Sequence, residues 1–219
     1  MKRSEINAII RNAIAFFKDR SFHLPEFALW TADDWRSKGD DADGIKRGGL
    51  GWDITNYGHD DFYSKGLLLF TIRNGVKGTV RNYAEKIMVV EEGQVTPMHF
   101  HVEKSEDIIN RGGGTLVVEV FNADSRGKLA RTDVSVMMDG VMRTFKAGAT
   151  ACLAPGDSIA LTPRVYHTFF GQKGKGKVLV GEVSGVNDDT SDNYFLETVE
   201  RFPAIEEDEP PLYPLCTEY

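Results

Sequence analysis

The chain has 219 residues, of which 41% are apolar and 27% are charged, an ordinary composition for a globular protein. Its formal net charge of −7 has the wrong sign for a protein that binds phosphate backbones, so we expect no nucleic-acid partner.

The first predicted elements are helices. Residues 4–20 place apolar side chains at intervals of three and four, which predicts one buried helical face, and Ser4 is the candidate N-cap. The step Thr31-Ala32-Asp33-Asp34 has the shape of a capping box, with Asp in place of Glu, and predicts a short helix that carries Trp35. We assign residues 1–65 to an N-terminal helical and irregular extension.

From about Gly66 onward the sequence consists of short β-rich runs separated by turn residues, which is typical of a β-sandwich or barrel. Asp139-Gly140 is a strong hairpin signal, because both central residues of a type I′ turn need a positive φ. The predicted strands cover residues 67–72, 83–90, 94–101, 115–121, 132–138, 141–145, 149–153, 158–162, 165–170 and 178–184.

We expect residues 1–219 to form a single domain, because all-β units of this length are common. The β-barrel would occupy residues 66–184, and residues 185–219 would form a C-terminal segment.

Membrane and disulfide features are not predicted. No apolar run approaches the roughly 18 residues that a membrane span needs, and polar residues interrupt the N-terminal stretch where a signal peptide would be apolar. Cys152 and Cys216 lie far apart and form no C-x-x-C motif. We therefore expect a cytoplasmic protein without a membrane partner.

A candidate metal site lies in the middle of the chain. His99 and His101 are two residues apart, so on a strand both imidazoles face the same side. Glu106 follows closely enough for a turn to bring its carboxylate near these two imidazoles, and His167 lies in a separate β-rich run. Three imidazoles and one carboxylate suit a borderline divalent metal and leave room for water or substrate oxygens.

The spacing around these residues resembles a known signature. Residues 93–113 follow the first motif of the cupin superfamily, Gly-x5-His-x-His-x4-Glu-x6-Gly, and residues 156–167 follow the second less closely, with Val165 where a glycine is expected. The resemblance implies a mainly β fold, the cupin double-stranded β-helix or jelly-roll barrel, with the N-terminal helical extension added. It also implies one metal inside the barrel, with the ligands His99, His101, Glu106 and His167.

Three longer stretches, residues 103–114, 181–189 and 201–209, are similar to those of the bacterial D-lyxose isomerases, and the resemblance covers nearly the whole chain. It implies a metal-dependent aldose–ketose isomerase that interconverts D-lyxose and D-xylulose, with D-mannose and D-fructose as a related pair. The implied metal is Mn²⁺, with Zn²⁺, Co²⁺ or Fe²⁺ as alternatives. The sequence does not rank lyxose against mannose.

Isomerisation through an enediol needs a carbon base, an oxygen acid and an electropositive group beside the developing oxyanion. Lys104 is the candidate proton-transfer group, and we expect its pKa to be lowered by the neighbouring metal. The family pairs such a lysine with a late glutamate. Glu200 and Glu197 are the candidates by position, and Glu182 is a third; the sequence does not separate them.

Other functions stay open at this point. A three-His, one-Glu site also suits a cupin oxygenase or a sugar epimerase, and a non-catalytic sugar-binding cupin would keep the barrel without proton-transfer groups. Lys104 favours the isomerase, because neither an oxygenase nor a sensor needs an acid–base residue there. Since many cupins bury an outer sheet face against a second copy, we expect a homodimer.

Overall fold

A computed structural model describes residues 1–188, 191–202 and 204–219. Most of the regular structure is β. The strands are β1 Gly51–Thr55, β2 Leu67–Asn74, β3 Ala84–Val90, β4 His99–His101, β5 Glu106–Gly113, β6 Leu116–Asn122, β7 Val134–Met138, β8 Val141–Phe145, β9 Ala149–Leu153, β10 Ser158–Leu161, β11 Val165–Gly171, β12 Val178–Ser184 and β13 Asn193–Phe195.

The strands form two sheets that enclose a common core. One sheet has the order β1-β2-β3-β12-β5-β10-β7-β8, and the other has the order β13-β4-β11-β6-β9. Among the described residues, all pairings between these strands are antiparallel. Apolar side chains of both sheets meet in one cluster, which confirms the predicted jelly-roll barrel.

All ten predicted runs contain a strand, and three further strands were missed. β5 was missed because charged and glycine residues interrupt its alternation, and β13 has only three residues. β1 lies within the stretch assigned to the N-terminal extension. The run 94–101 contains only the three-residue strand β4. Pro97 lies just before this strand, and a proline has no N–H to donate to a sheet.

The hairpin prediction is confirmed. Asp139 and Gly140 join β7 to β8, and both have a positive φ, of 49° and 81°. This is the backbone that a type I′ turn requires.

The long N-terminal helix is also confirmed, as α1 Arg3–Asp19, but its predicted cap is wrong. Lys2 holds the N-cap position, whereas the hydroxyl and the backbone N–H of Ser4 both donate to the carboxylate of Asp208, at 2.7 and 2.9 Å. The C-terminal segment therefore supplies the hydrogen-bond acceptor for the first turn of α1. The local sequence around Ser4 could not indicate this contact.

The second helix, α2 Ala32–Lys38, begins as predicted. Thr31 and Asp34 form a capping box, and Trp35 is buried. The remaining helical segments are α3 Asp43–Gly48 and the 3₁₀ turns Glu26–Leu29 and Gly39–Ala42.

Helix α1 covers the outer face of the larger sheet. Its apolar residues pack against Trp52, Phe70 and Leu179, while Leu69 on the opposite face of β2 points into the barrel. β2 is thus buried on both faces, which explains its continuous apolar run.

The two termini extend this architecture. β1 and β13 lie outside residues 66–184 and add to the edges of the two sheets, so the division of the chain at residues 65 and 184 stays a prediction. Arg3 is buried and pairs with Glu207 and Glu218 of the C-terminal segment. Asp189 and Pro203, within the stretches that carry the family resemblance, lie outside the described residues.

No helix in the described ranges combines the length and the apolar composition that a membrane crossing requires.

Candidate functional site

Three histidines converge inside the barrel at one end of the smaller sheet. His99 and His101 lie on β4, and His167 lies directly opposite His99 on the neighbouring strand β11. The ring centroids are 4.2 to 5.5 Å apart, and one nitrogen of each ring lies within 4.8 Å of the others. The period-two prediction is therefore confirmed, and the group has the geometry to hold a metal ion.

Two of the rings are oriented by their own backbone. His99 Nδ1 donates to the carbonyl of Pro97 at 2.8 Å, and His167 Nδ1 donates to the carbonyl of Val165 at 3.0 Å. Because a carbonyl oxygen can only accept, each bond places a proton on Nδ1, so Nε2 is the nitrogen through which either ring would bind a metal. Burial, together with the neighbouring His167 and His101 rings, holds the pKa of His99 well below its usual value, which keeps that ring neutral.

Glu106 faces the histidines from the opposite sheet, at the start of β5. Its carboxylate oxygens lie 3.0 Å from His101 Nε2 and 3.1 Å from His167 Nε2. Burial alone would raise the pKa of Glu106, but His101 and Lys104 hold it well below its usual value, so the carboxylate is ionised.

The surroundings of His167 suit a metal ligand. Among the described residues, His167 Nε2 is buried without an assigned hydrogen-bond partner, and it lies 3.1 Å from a carboxylate oxygen of Glu106. An imidazole nitrogen and a carboxylate oxygen this close together can both act as donors to one divalent cation. The four predicted ligands therefore fit a divalent metal, with three imidazole nitrogens and one carboxylate as donors.

Lys104 lies in the turn between β4 and β5 and is buried beside this group. Its ammonium is 3.1 Å from Glu106 Oε2 and 3.0 Å from Glu182 Oε1. Burial lowers the pKa of Lys104, but the carboxylates of Glu182 and Glu106 together raise it above its usual value, and the expected effect of a neighbouring metal stays a prediction. The side chain is therefore a stable cation that can donate a hydrogen bond to an oxygen.

Glu182, the third candidate among the late glutamates, lies in the same cavity. It belongs to β12, whose inward residues Val178 and Val180 are part of the barrel core. Burial raises the pKa of Glu182, but the ammonium groups of Lys104 and Lys86 outweigh this effect and lower it, so the carboxylate is ionised.

The structure does not bring Glu197 or Glu200 to this cluster. Both side chains are exposed, and neither lines the cavity that contains the histidines. The side chain of Glu200 lies against Gly58. Of the three late glutamates that the sequence proposed, Glu182 is the one beside Lys104.

Apolar side chains from both sheets form part of the cavity wall, together with the charged groups. Arg201 contributes to the lining and pairs with Asp53 of β1, with Nη1 3.2 Å from Oδ1. Such a combination of apolar surface and a few convergent polar groups is typical of a small-molecule site. The lining residues are Tyr57, Leu67, Leu69, Lys86, Met88, Thr96, His99, His101, Lys104, Glu106, Ile108, Phe169, Glu182, Asn193, Phe195 and Arg201.

Sequence reasoning missed two buried polar residues at the site. Lys86 lies on the inward face of β3 with Met88 and Val90, because alternate residues of a strand share a face. A lysine at an inward position of an apolar strand could therefore have been recognised from the sequence as a candidate site residue. Asp192 gave no such signal, because it is one of several aspartates in a polar loop.

Asp192 is placed to support two neighbours. Its Oδ1 accepts a hydrogen bond from the backbone N–H of Glu103 at 2.6 Å, in the turn that carries Lys104. Its Oδ2 lies 3.6 Å from His101 Nδ1, a buried nitrogen that has no hydrogen bond to any of the described residues. A carboxylate behind a ligating histidine fixes the orientation of the ring.

We therefore expect Asp192→Asn to weaken metal binding about 10- to 100-fold, the usual effect of losing an outer partner of a ligand. The asparagine oxygen still accepts from the Glu103 N–H, while the amide group no longer attracts the N–H of His101. Titration of metal against a chelating dye would measure the affinity. Glu103→Gln, on an exposed side chain, is the control, and equal affinities for Asp192→Asn and the control would contradict the expectation.

Comparison with known proteins gives a consistent result. The model of the D-lyxose isomerase family matches residues 1–219. The D-lyxose/D-mannose isomerase of Serratia proteamaculans is 52% identical over 100% of this chain and 98% of its own length. The enzyme of the same name from Escherichia coli O157:H7 is 49% identical over the same shares.

Solved structures share the fold at low sequence identity. The L-ribose isomerase of Geodermatophilus obscurus is 14% identical and gives a TM-score of 0.61, with 94% of this chain and 98% of that chain covered. A mutant L-ribose isomerase of Acinetobacter sp. DL28 in complex with L-ribose is 16% identical and gives a TM-score of 0.59 over the same shares.

Proposed function

This chain belongs to the D-lyxose isomerase family, and on that premise we propose that it interconverts D-lyxose and D-xylulose, with D-mannose and D-fructose as a second pair. The names of the two relatives support both pairs. The observation that carries the proposal is the buried Lys104–Glu182 pair beside the histidine cluster, because it adds proton-transfer groups to a candidate metal site.

His99, His101, Glu106 and His167 would hold the metal, and we propose Mn²⁺, with Zn²⁺, Co²⁺ or Fe²⁺ as alternatives. When bound, such an ion polarises the substrate oxygens and stabilises negative charge that develops on them. The remaining chemistry then belongs to the side chains around it.

In this proposal Glu182 is the carbon base. Its carboxylate removes the proton from C2 of the open-chain aldose, a proton passes from O2 to O1 of the resulting enediolate, and Glu182 returns its own proton to C1, which yields the ketose. The low pKa of Glu182 keeps it ionised before the first step. Lys104, held as a cation by two carboxylates, donates to the sugar oxygen on which charge develops. The apolar wall limits the access of competing water.

The proton-transfer pair also argues against the alternatives. A non-catalytic sugar-binding cupin would bury Lys104 and Glu182 without use for them, and burying charges costs free energy. A cupin oxygenase needs no such pair. A sugar epimerase would use similar groups, so the identity of the product decides between it and an isomerase. A homodimer and a cytoplasmic location stay predictions.

The test is to incubate metal-loaded protein with D-lyxose, D-mannose and a panel of other free aldoses, and to identify products by chromatography. We expect D-xylulose from D-lyxose and D-fructose from D-mannose. Formation of an epimeric aldose alone, or oxygen uptake with iron-loaded protein, would contradict the isomerase proposal.

Lys104→Met is expected to lower kcat about 10²- to 10³-fold, the range for losing one donor to a developing oxyanion, while sugar binding is retained. Steady-state kinetics and calorimetric sugar binding would separate the two effects. Lys77→Met removes a largely exposed lysine and serves as the control. A kcat close to that of the control would remove Lys104 from the mechanism.

A further inference from the structure

We infer that the two oxygens of the Glu182 carboxylate have different tasks: Oε1 is held by the protein, and Oε2 is left to take the proton from the sugar. Lys86, Ser184 and Asn187 are positioning residues that create this difference. The inference rests on the proposed function, in which Glu182 is the carbon base.

The hydrogen-bond donors around Glu182 are distributed unequally. Oε1 lies 3.0 Å from Lys104 Nζ, 3.1 Å from Lys86 Nζ and 2.8 Å from the hydroxyl of Ser184. The hydroxyl of Ser184 has one proton and also lies 2.9 Å from the carbonyl of Gly185, but the two ammonium groups alone fill the two lone pairs of Oε1. In the described part of the chain, Oε2 has one longer contact, with Lys86 Nζ at 3.4 Å.

Lys86 is itself fixed in place. It stands directly opposite Glu182 in the pairing of β3 with β12, and its ammonium also donates to Asn187 Oδ1 at 2.7 Å. The backbone N–H of Asn187 donates to Asn74 Oδ1 at 2.9 Å, and Asn74 Nδ2 donates back to the carbonyl of Asn187 at 3.3 Å. A chain of contacts thus runs from the end of β2 to the carboxylate.

Burial suggests that this arrangement serves the reaction more than stability. Lys86 is 6% exposed and Glu182 is 5% exposed, and an apolar pair of the same size would stabilise the barrel as well as a buried ion pair does. Lys86 and Lys104 together balance the charges of Glu182 and Glu106. The second lysine allows Glu182 to stay ionised without taking Lys104 away from the substrate oxygen.

The expected consequence is geometric. The terminal torsion of a glutamate is broad, so a carboxylate without Lys86 can rotate about it and move Oε2 out of line with the C–H bond. A displacement of about 1 Å at a reacting group costs roughly 10²-fold in rate. Since Lys86 influences the reaction by holding the carboxylate of Glu182, its loss should lower kcat and leave KM nearly unchanged.

The experiment compares Lys86→Met, Lys86→Arg and Asn187→Ala with wild type, as metal-loaded full-length protein with D-lyxose as the substrate. We expect Lys86→Met to lower kcat about 10²-fold with KM within about threefold, and Lys86→Arg to recover at least about tenfold of that loss because it keeps the cation. Asn187→Ala, which keeps the charge and removes one acceptor, should lower kcat about tenfold. Lys175→Met, on an exposed loop, is the matched control.

Thermal unfolding of each variant distinguishes positioning from a purely structural role. A kcat for Lys86→Met equal to that of the control would overturn the inference while leaving the proposed function intact. The inference would also be overturned if the loss of kcat across the variants followed the fall in Tm and Lys86→Arg did not restore kcat. If Lys86→Met does not fold, Asn187→Ala decides the question by the same criteria. A wild-type protein that isomerises no aldose would contradict the proposed function, and the inference with it.

Discussion

His101→Ala is expected to remove most of the bound metal and to lower isomerase activity by at least about 10³-fold. His101 is buried between Glu106 and Asp192, so alanine deletes one donor from the centre of the candidate site. A catalytic metal contributes several kcal/mol of charge stabilisation, and about 1.4 kcal/mol corresponds to a factor of ten in rate. Elemental analysis of the purified variant measures the metal, and product formation from D-lyxose measures the activity.

The β-barrel itself should survive this substitution, because its core consists of apolar side chains from both sheets. Far-ultraviolet circular dichroism close to that of wild type would show this. His23→Ala, on an exposed side chain, is the control and should keep both metal and activity. Chelation of the wild-type protein should cause a similar loss of activity that added Mn²⁺ reverses. Stoichiometric metal in His101→Ala would contradict the assigned ligands.

The histidine cluster could be predicted because each step follows a simple rule. Alternation along a strand places His99 and His101 on one face, and the cupin spacing connects them with Glu106 and His167. Long-range pairing of β4 with β11 has no local signal, so the sequence offered His167 as a third imidazole in a separate β-rich run without fixing its partner strand. The structure brings all four side chains together, in agreement with that resemblance.

The orientation of the late glutamates could not be predicted from the sequence. Glu197 and Glu200 were chosen by their position near the end of the chain, but side-chain direction there depends on the path that the backbone takes after β13. Glu182 carried a stronger signal, since it continues the inward face of Val178 and Val180 on an apolar strand. A charged residue at an inward position is costly unless it is paired, which points to a functional site.

The electrostatics of Lys104 could not be predicted from local sequence either. A metal nearby favours a lowered pKa, whereas an anion nearby favours a raised one, and local sequence does not give the distances to either. Glu182 approaches from a strand 78 residues later and, with Glu106, raises the pKa. The change alters the proposed role of Lys104 from proton shuttle to hydrogen-bond donor and leaves Glu182 as the carbon base.

Glu182→Gln is therefore expected to lower kcat about 10⁴-fold, the upper end of the range for a general base. Glutamine keeps the shape of the side chain and an oxygen that accepts hydrogen bonds, but it cannot take a proton from C2. Sugar binding should remain within a few fold of wild type in calorimetry, because the other polar groups of the cavity are unchanged. The substitution separates proton transfer from binding.

Two matched variants and one isotope experiment make this prediction decisive. Glu197→Gln and Glu200→Gln make the same chemical change on exposed side chains, so both should retain nearly the full wild-type kcat. In D₂O, wild-type enzyme should place deuterium at C1 of the ketose or C2 of the aldose, because a proton held on Glu182 can exchange before it returns to carbon. An active Glu182→Gln together with an inactive Glu197→Gln or Glu200→Gln would move the base to that residue. Full activity without any deuterium incorporation would replace the enediol route with a hydride shift, because a hydride that passes directly between C1 and C2 never meets the solvent.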